Sequence, residues 1–151
     1  MPGELVKVLF ELPVADWYSA ATETLWATPL GDGQYRLENS PFYASGYSFL
    51  DVIFAEFDPE QGFPVVRRAL KKSGHSTYAL WVINGIDSNG MFAAYWEPIE
   101  KLGCSFEGID GKLLSVDVPP GADIHEAFHL MESGKSAGVW DFQEQDVGHA
   151  V

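Results

Sequence analysis

The segments that decide the fold class are 105-SFEGIDGKLLSVDV-118 and 123-DIHEAFHLMESG-134. The first predicts a β-hairpin with strands at 105–109 and 112–118, because Asp110-Gly111 readily adopts the positive φ of a tight turn. The second predicts a helix that begins after its first residue, an N-cap aspartate, and ends at its final glycine. A hairpin followed directly by a helix forms the middle of a split β-α-β arrangement.

Flanking residues supply the remaining elements of that arrangement. Apolar residues at helical spacing precede Gly103, which can end a helix. The predicted elements are a strand at 77–83 (TYALWVI), a helix at 89–102 (NGMFAAYWEPIEKL) and a strand at 139–145 (VWDFQEQ). The order from residue 77 onward is therefore β-α-β-β-α-β, which is typical of a ferredoxin-like sandwich.

Short strands dominate the N-terminal half of the chain. Gly31-Asp32-Gly33 predicts a hairpin turn between two of them. Residues 64–72 (PVVRRALKK) fit either a strand paired with 77–83 across Ser73-Gly74 or a short helix, and their two valines favour the strand. The other predicted strands are 6–14, 23–29, 34–38 and 48–57.

The expected fold class is therefore α+β. An antiparallel strand-rich N-terminal half is followed by a ferredoxin-like βαββαβ half. A chain of 151 residues is long enough for one compact unit, 1–151, and the change of pattern suggests sub-halves at 1–75 (β-rich) and 76–151 (ferredoxin-like).

The charge of the chain is strongly negative. It carries 22 acidic and 9 basic residues, a formal net charge of −13. Phosphate backbones and anionic lipids repel such a chain, so nucleic acid and membrane surfaces are not expected partners. The same charge speeds association with a basic protein.

Cysteine content and the N-terminal segment point to the cytoplasm. Cys104 is the single cysteine, so an internal disulfide and a cysteine-based metal site are both excluded. The first residues, MPGELVKVLFELPV, lack the pattern of a secretion signal, and no apolar stretch reaches the length of a membrane span.

Residues 125–129, HEAFH, match the H-E-x-x-H zinc motif. On a helix, His125 and His129 would share one face, and Glu126 could act as a base on zinc-bound water. The apolar stripe of the helix, however, places both histidines on its solvent-facing flank. We therefore expect no metal and no cofactor, and keep a zinc-dependent hydrolase as the alternative. Its third ligand would come from Glu144, Asp146 or His149.

Two further polar clusters carry weaker signals. Ser73 and His75 could form a nucleophile and base if Asp51 oriented the imidazole, but turn chemistry explains the same residues. A basic cluster could hold an acidic segment, yet it is also typical of a solvated sheet edge that resists aggregation. Its members are Arg67, Arg68, Lys71 and Lys72.

Large aromatic residues fall in predicted loops, where they often serve as binding anchors. The alternative is that they cover a small core. The candidates for partner binding are Trp17, Tyr18, Tyr43 and Tyr47.

Three short motifs, 23-ETLWA-27, 39-NSPF-42 and 73-SGH-75, are the most distinctive in the chain. With them, the sequence over 6–148 resembles a bacterial family of uncharacterised proteins, domain of unknown function 4265. The resemblance implies a bacterial cytosolic protein and supplies neither an activity nor catalytic residues.

The expected function is protein binding rather than catalysis. Small acidic bacterial proteins without a complete catalytic constellation resemble immunity proteins, which block a toxin by covering its active surface. The hypothesis is an inhibitor of a basic toxin domain. The alternatives are the zinc hydrolase on His125, Glu126 and His129, and a small-molecule sensor domain with a cleft between its two parts.

Overall fold

The computed structural model describes residues 4–87 and 90–150. In those ranges the chain forms two helices and nine strands arranged in two sheets, which confirms the α+β class. The strands are β1 (Val6–Glu11), β2 (Thr22–Gly31), β3 (Gln34–Leu37), β4 (Val52–Asp58), β5 (Phe63–Lys71), β6 (Ser76–Val82), β7 (Ser105–Ile109), β8 (Leu113–Val118) and β9 (Trp140–Asp146). The helices are α1 (Met91–Lys101) and α2 (Ile124–Ser136). Neither described helix has the length and apolar character needed to cross a membrane.

Strands β1 to β5 form a closed barrel in chain order. Each strand is antiparallel to the next, so an odd number of strands leaves the first and last parallel. The barrel therefore closes through a parallel contact, between Leu9 of β1 and Val65 of β5. Inward-facing side chains fill the barrel, including Val8, Phe10, Leu25, Leu37 and Ile53.

The hairpin turns predicted at Gly31-Asp32-Gly33 and at Asp110-Gly111 are confirmed. Asp32 (φ 54°) and Gly33 (φ 75°) join β2 to β3, and Asp110 (φ 55°) and Gly111 (φ 67°) join β7 to β8. Glycine is also required at position 33 for steric reasons, because a Cβ atom there would lie 2.7 Å from the Phe54 ring. These turns depend on residues adjacent in the chain, which is why the sequence predicts them.

The second sheet has the order β7-β8-β6-β9, with every neighbouring pair antiparallel. This is the sheet of the predicted βαββαβ arrangement, with β6 and β8 in the centre. Both helices pack on one face of this sheet. The core between the helices and the sheet includes Tyr78, Leu80, Trp96, Met131 and Trp140. The predicted start of the first helix, at residue 89, lies outside the described residues.

Helix α2 begins as predicted but ends later. The Asp123 carboxylate accepts hydrogen bonds from the backbone N–H groups of His125 (2.9 Å) and Glu126 (3.1 Å), so it is the N-cap. The helix passes through Gly134 and ends at Ser136, so the prediction that Gly134 ends it is wrong. A Cβ atom at Gly134 would overlap the indole of Trp140, so this glycine allows close packing of helix and strand.

The pairing predicted for residues 64–72 is also wrong. These residues form a strand, as the valines suggest, but β5 pairs with β4 and β1 inside the barrel. Strand β6 pairs instead with β8 and β9. Ser73-Gly74 is thus the link between barrel and sheet rather than a hairpin turn, because closing the barrel uses both edges of β5.

Two predicted strands are shorter than expected. The first ends at Glu11 instead of residue 14. The strand predicted at 48–57 begins only at Val52, because Leu50 has a φ of 67° and the carboxylate of Asp51 closes a turn by accepting the N–H of Ser48. Alternation of apolar residues alone does not reveal this turn.

An ionic cluster in which Asp51 is fully buried and Lys72 is partly exposed joins the barrel to the sheet. The Lys72 ammonium donates hydrogen bonds to Asp51, to Asp146 of β9 (2.7 Å) and to the carbonyl of Gly46 (2.9 Å). Ser48 donates to Asp146 at 2.7 Å. Burial lowers the pKa of Lys72, but the two carboxylates outweigh burial and raise it overall. Lys72 therefore stays charged and holds the two parts together.

Candidate functional site

Three of the four candidate aromatics form one cluster. Trp17 and Tyr18 lie in the tight turn 15–18 with ring centroids 4.9 Å apart. Tyr43 joins them from the loop between β3 and β4, at 5.6 Å from Trp17 and 5.1 Å from Tyr18. The Tyr18 hydroxyl donates to the carbonyl of Pro13 at 2.6 Å, which fixes the ring. We call Trp17, Tyr18 and Tyr43 the aromatic cluster.

Tyr47 is placed in the barrel packing rather than in the aromatic cluster. Its ring lies edge-on to that of Phe10, with centroids 4.9 Å apart, against the barrel core. Burial raises the pKa of its hydroxyl. The half-buried ring therefore contributes to the barrel interior.

Glu23 anchors the loop that carries Tyr43. Its carboxylate accepts hydrogen bonds from three consecutive backbone N–H groups, those of Phe42 (2.6 Å), Tyr43 (3.1 Å) and Ala44 (3.0 Å). Burial raises the pKa of Glu23, and the three hydrogen bonds oppose that shift without cancelling it. One side chain of β2 thus fixes the backbone beneath the aromatic cluster.

A cleft lies beside the aromatic cluster on the sheet face opposite the helices. Tyr78 and Leu80 point into the helix-side core, so the alternating residues Ala79 and Trp81 point away from it. Trp81 is 47% exposed on this face, whereas Ala79 and Leu113 are buried. We call this cleft the Trp81 cleft; its volume is about 350 Å³, and its lining includes Trp17, Ala79, Trp81, Leu113, Asp141 and Gln143.

The chain is similar to a family of known sequences and to a solved structure. The model of the family described as Domain of unknown function (DUF4265) matches residues 23–142. The chain belongs to the DUF4265 family. The family predicted from the three sequence motifs is thereby confirmed.

The crystal structure of a hypothetical protein from Neisseria gonorrhoeae matches the DUF4265 chain with a TM-score of 0.79. The match covers 98% of this chain and 99% of the other, at 18% sequence identity. At that identity the likeness shows a shared fold. None of the curated proteins matches the chain.

The HEAFH residues of this DUF4265 chain lie on the exposed side of α2. His125, Glu126 and His129 all face solvent, while Ile124 and Ala127 enter the core. Among residues 4–87 and 90–150, no group of three His, Cys, Asp or Glu side chains could hold a metal ion.

The three residues considered as a third zinc ligand are bonded to other groups. Asp146 binds Lys72 and Ser48. His149 contacts the Ser76 hydroxyl and, through Nε2, the carbonyl of Pro119. Glu144 accepts a hydrogen bond from the Tyr78 hydroxyl at 3.5 Å.

The Ser73–His75 turn does not assemble with Asp51 as a triad. Nδ1 of His75 lies 2.8 Å from a carboxylate oxygen of Asp117, and the Ser73 hydroxyl donates to the carbonyl of Phe49 at 2.6 Å. Burial raises the pKa of Asp117, and its contact with His75 opposes the shift. The Asp51 carboxylate instead accepts hydrogen bonds from the Lys72 ammonium and from the backbone N–H of Ser73. The turn is therefore organised by structural hydrogen bonds.

The basic cluster is dispersed rather than arranged as one patch. Arg67 contacts Glu56 (3.2 Å), and Arg68 lies over the Phe54 ring (4.7 Å). Lys72 contacts Asp51 and Asp146 between the barrel and the sheet. Apart from Trp17, the residues of the Trp81 cleft are absent from the sequence-based candidates. Alternation in TYALWVI was the available signal for Trp81, because it separates this residue from its core-facing neighbours.

Proposed function

We propose that the protein is a protein-binding module, an immunity-type inhibitor that neutralises a basic bacterial toxin domain by covering its active surface. The observation that carries the proposal is the aromatic cluster beside an open apolar cleft in a molecule with a net charge of −13. Large aromatics on a rigid base supply most of the binding free energy at protein interfaces. The negative charge attracts a basic partner at long range.

The hydrogen bonds that order this surface support a binding role. Glu23 holds the backbone of the Tyr43 loop, and Tyr18 is hydrogen-bonded to the carbonyl of Pro13. A surface that is already ordered loses little conformational entropy on association. As part of the proposal, the inhibitor acts in the bacterial cytoplasm, where a self-directed toxin would reach its target.

The test is capture of a partner from the native host followed by toxin neutralisation. A tagged protein should capture a basic protein, and capture should weaken as salt is raised from about 0.05 to 0.5 M, because salt screens long-range charge. Co-expression of the captured protein with this chain should restore growth that the captured protein alone arrests. Capture indifferent to salt, or a partner that is harmless when expressed alone, would contradict the proposal.

Matched variants locate the surface in the same assay. Trp17→Ala and Tyr43→Ala should each weaken capture, because they remove rings of the aromatic cluster. Trp26→Ala is the control, since Trp26 is 44% exposed on β2 and is not part of the aromatic cluster. Equal loss in all three variants would indicate general apolar adhesion.

A small-molecule sensor is the second candidate function, and the Trp81 cleft favours it. Its volume of about 350 Å³ lies at the lower end of the range of ligand sites. Binding of metabolites from a host extract, detected by thermal stabilisation of the isolated protein, would distinguish this function from protein binding.

A further inference from the structure

We propose that the Trp81 cleft receives an arginine side chain of the basic partner, an inference that rests on the proposed function. The occupant is recognised by three features of the cleft: indole rings, a carboxylate and a carbonyl acceptor.

The indoles of Trp17 and Trp81 suit a planar cation. Both line the cleft, Trp17 from the 15–18 turn and Trp81 from the central strand β6. Because β6 is paired on both sides, Trp81 stands on a rigid base. A guanidinium group stacks on indole faces more readily than an ammonium group does, because it is planar and less strongly hydrated.

Asp141 supplies the opposite charge at the cleft. Its carboxylate lies 3.4 Å from the Lys135 ammonium, and both side chains are more than half exposed. Exposed ion pairs of this kind are weak, so an incoming guanidinium can replace Lys135. A carboxylate binds guanidinium with two parallel hydrogen bonds, which favours arginine over lysine.

Gln143 supplies the neutral acceptor. Its amide nitrogen donates to Gln145 at 3.1 Å, so its amide oxygen remains an acceptor at the cleft. The overall charge of −13 selects against an acidic occupant. Aromatic walls, a carboxylate and an amide oxygen together match an arginine side chain.

The experiment uses N-acetyl-argininamide as the probe and follows the indole N–H signals by NMR at about 0.15 M salt. The Trp17 and Trp81 signals should shift and saturate, while the signal of Trp26 stays in place. N-acetyl-citrullinamide has nearly the same shape without the charge, and it should cause no saturable shift. Equal shifts with both probes, or shifts confined to Trp26, would overturn the proposal.

Two variants separate the site from a folding defect. Trp81→Ala should weaken binding of the probe by about fivefold or more, because one cation–π contact is lost. Asp141→Asn keeps the shape of the cleft, replaces one exposed carboxylate by an amide, and should weaken binding to a similar degree. Unchanged affinity in Asp141→Asn would overturn the proposal even if Trp81→Ala fails to fold.

The host assay distinguishes failure of this proposal from failure of the proposed function. If Asp141→Asn captures the basic partner as well as the wild type does, the cleft is not the docking site, although the inhibitor function stands. If the probe binds as described and no toxin is neutralised, the cleft recognises arginine and the inhibitor function is wrong.

Discussion

Glu23 shows at the scale of one residue how a half-buried carboxylate can build a loop. Three backbone N–H groups of Phe42, Tyr43 and Ala44 converge on it. A buried donor without an acceptor is destabilising, so the loop conformation depends on this side chain. The same loop carries one ring of the aromatic cluster, and the position of that ring therefore depends on a residue outside the cluster.

Glu23→Ala should lower the free energy of unfolding by about 2 kcal/mol, because three donors lose their acceptor. Urea unfolding followed by far-UV circular dichroism measures the change. Glu60→Ala is the control, since Glu60 is exposed in the turn between β4 and β5. Equal stability of the two variants would mean that water replaces the carboxylate at no cost.

The raised pKa of Glu23 predicts a pH dependence. The folded chain binds this proton more tightly than the unfolded chain, so the contribution to stability is full below the ordinary glutamate pKa. It is lost as the pH rises through the raised value. The stability of the wild type minus that of Glu23→Gln should therefore fall as the pH rises above the ordinary glutamate pKa. A rise in this difference over the same change of pH would mean a lowered pKa.

Zinc binding by the HEAFH residues is the other question at this scale. His125 and His129 are exposed, and two histidines give only part of the ligand set of a zinc site. Calorimetry on the wild type and on His129→Ala should show no stoichiometric binding tighter than about 1 μM. If the wild type binds one equivalent of zinc tightly and His129→Ala does not, the zinc-dependent hydrolase becomes the favoured alternative.

At the scale of elements, α2 and β9 are joined by one close contact. The Trp140 indole donates to the carbonyl of Met131 at 2.8 Å, and its ring lies against Gly134. The hydrogen bond holds the ring in place, so the glycine is required by packing although glycine weakens a helix. Tertiary packing here overrides helix propensity.

Gly134→Ala should therefore lower the free energy of unfolding by about 1–2 kcal/mol, since overpacking against Trp140 exceeds the gain in helix propensity. Ser133→Ala, at an exposed position of the same helix, should leave stability nearly unchanged. Denaturant unfolding of both variants makes the comparison. A stabilised Gly134→Ala would show that the indole moves aside without cost.

At the scale of the whole molecule, the barrel and the sheet are coupled through the Lys72 cluster. Asp51 is fully buried, Asp146 belongs to β9, and Lys72 follows β5 directly. Removing one partner of a buried ion pair leaves an uncompensated charge, which is strongly destabilising. That the chain is one compact unit stays a prediction, and this cluster is its physical basis.

Lys72→Met should lower the free energy of unfolding by about 2 kcal/mol, a value reduced because the lysine is partly exposed. Its neighbour Lys71 is exposed, so Lys71→Met is the control.

Wild-type unfolding followed by tryptophan fluorescence and by circular dichroism should give coincident transitions. Two separate transitions in the wild type would show that the sub-halves unfold independently.

Local signals by themselves determined the α+β class, the two glycine-containing hairpins and the Asp123 cap. Each depends on residues within a few positions of one another, so the chemistry is visible in the sequence. Only the tertiary structure decided that β5 closes a barrel, that Gly134 lies inside a helix, and that Trp17 and Trp81 line one cleft. These features join residues far apart in the chain, and their free energy comes from packing and from the burial of charge, which no local pattern records.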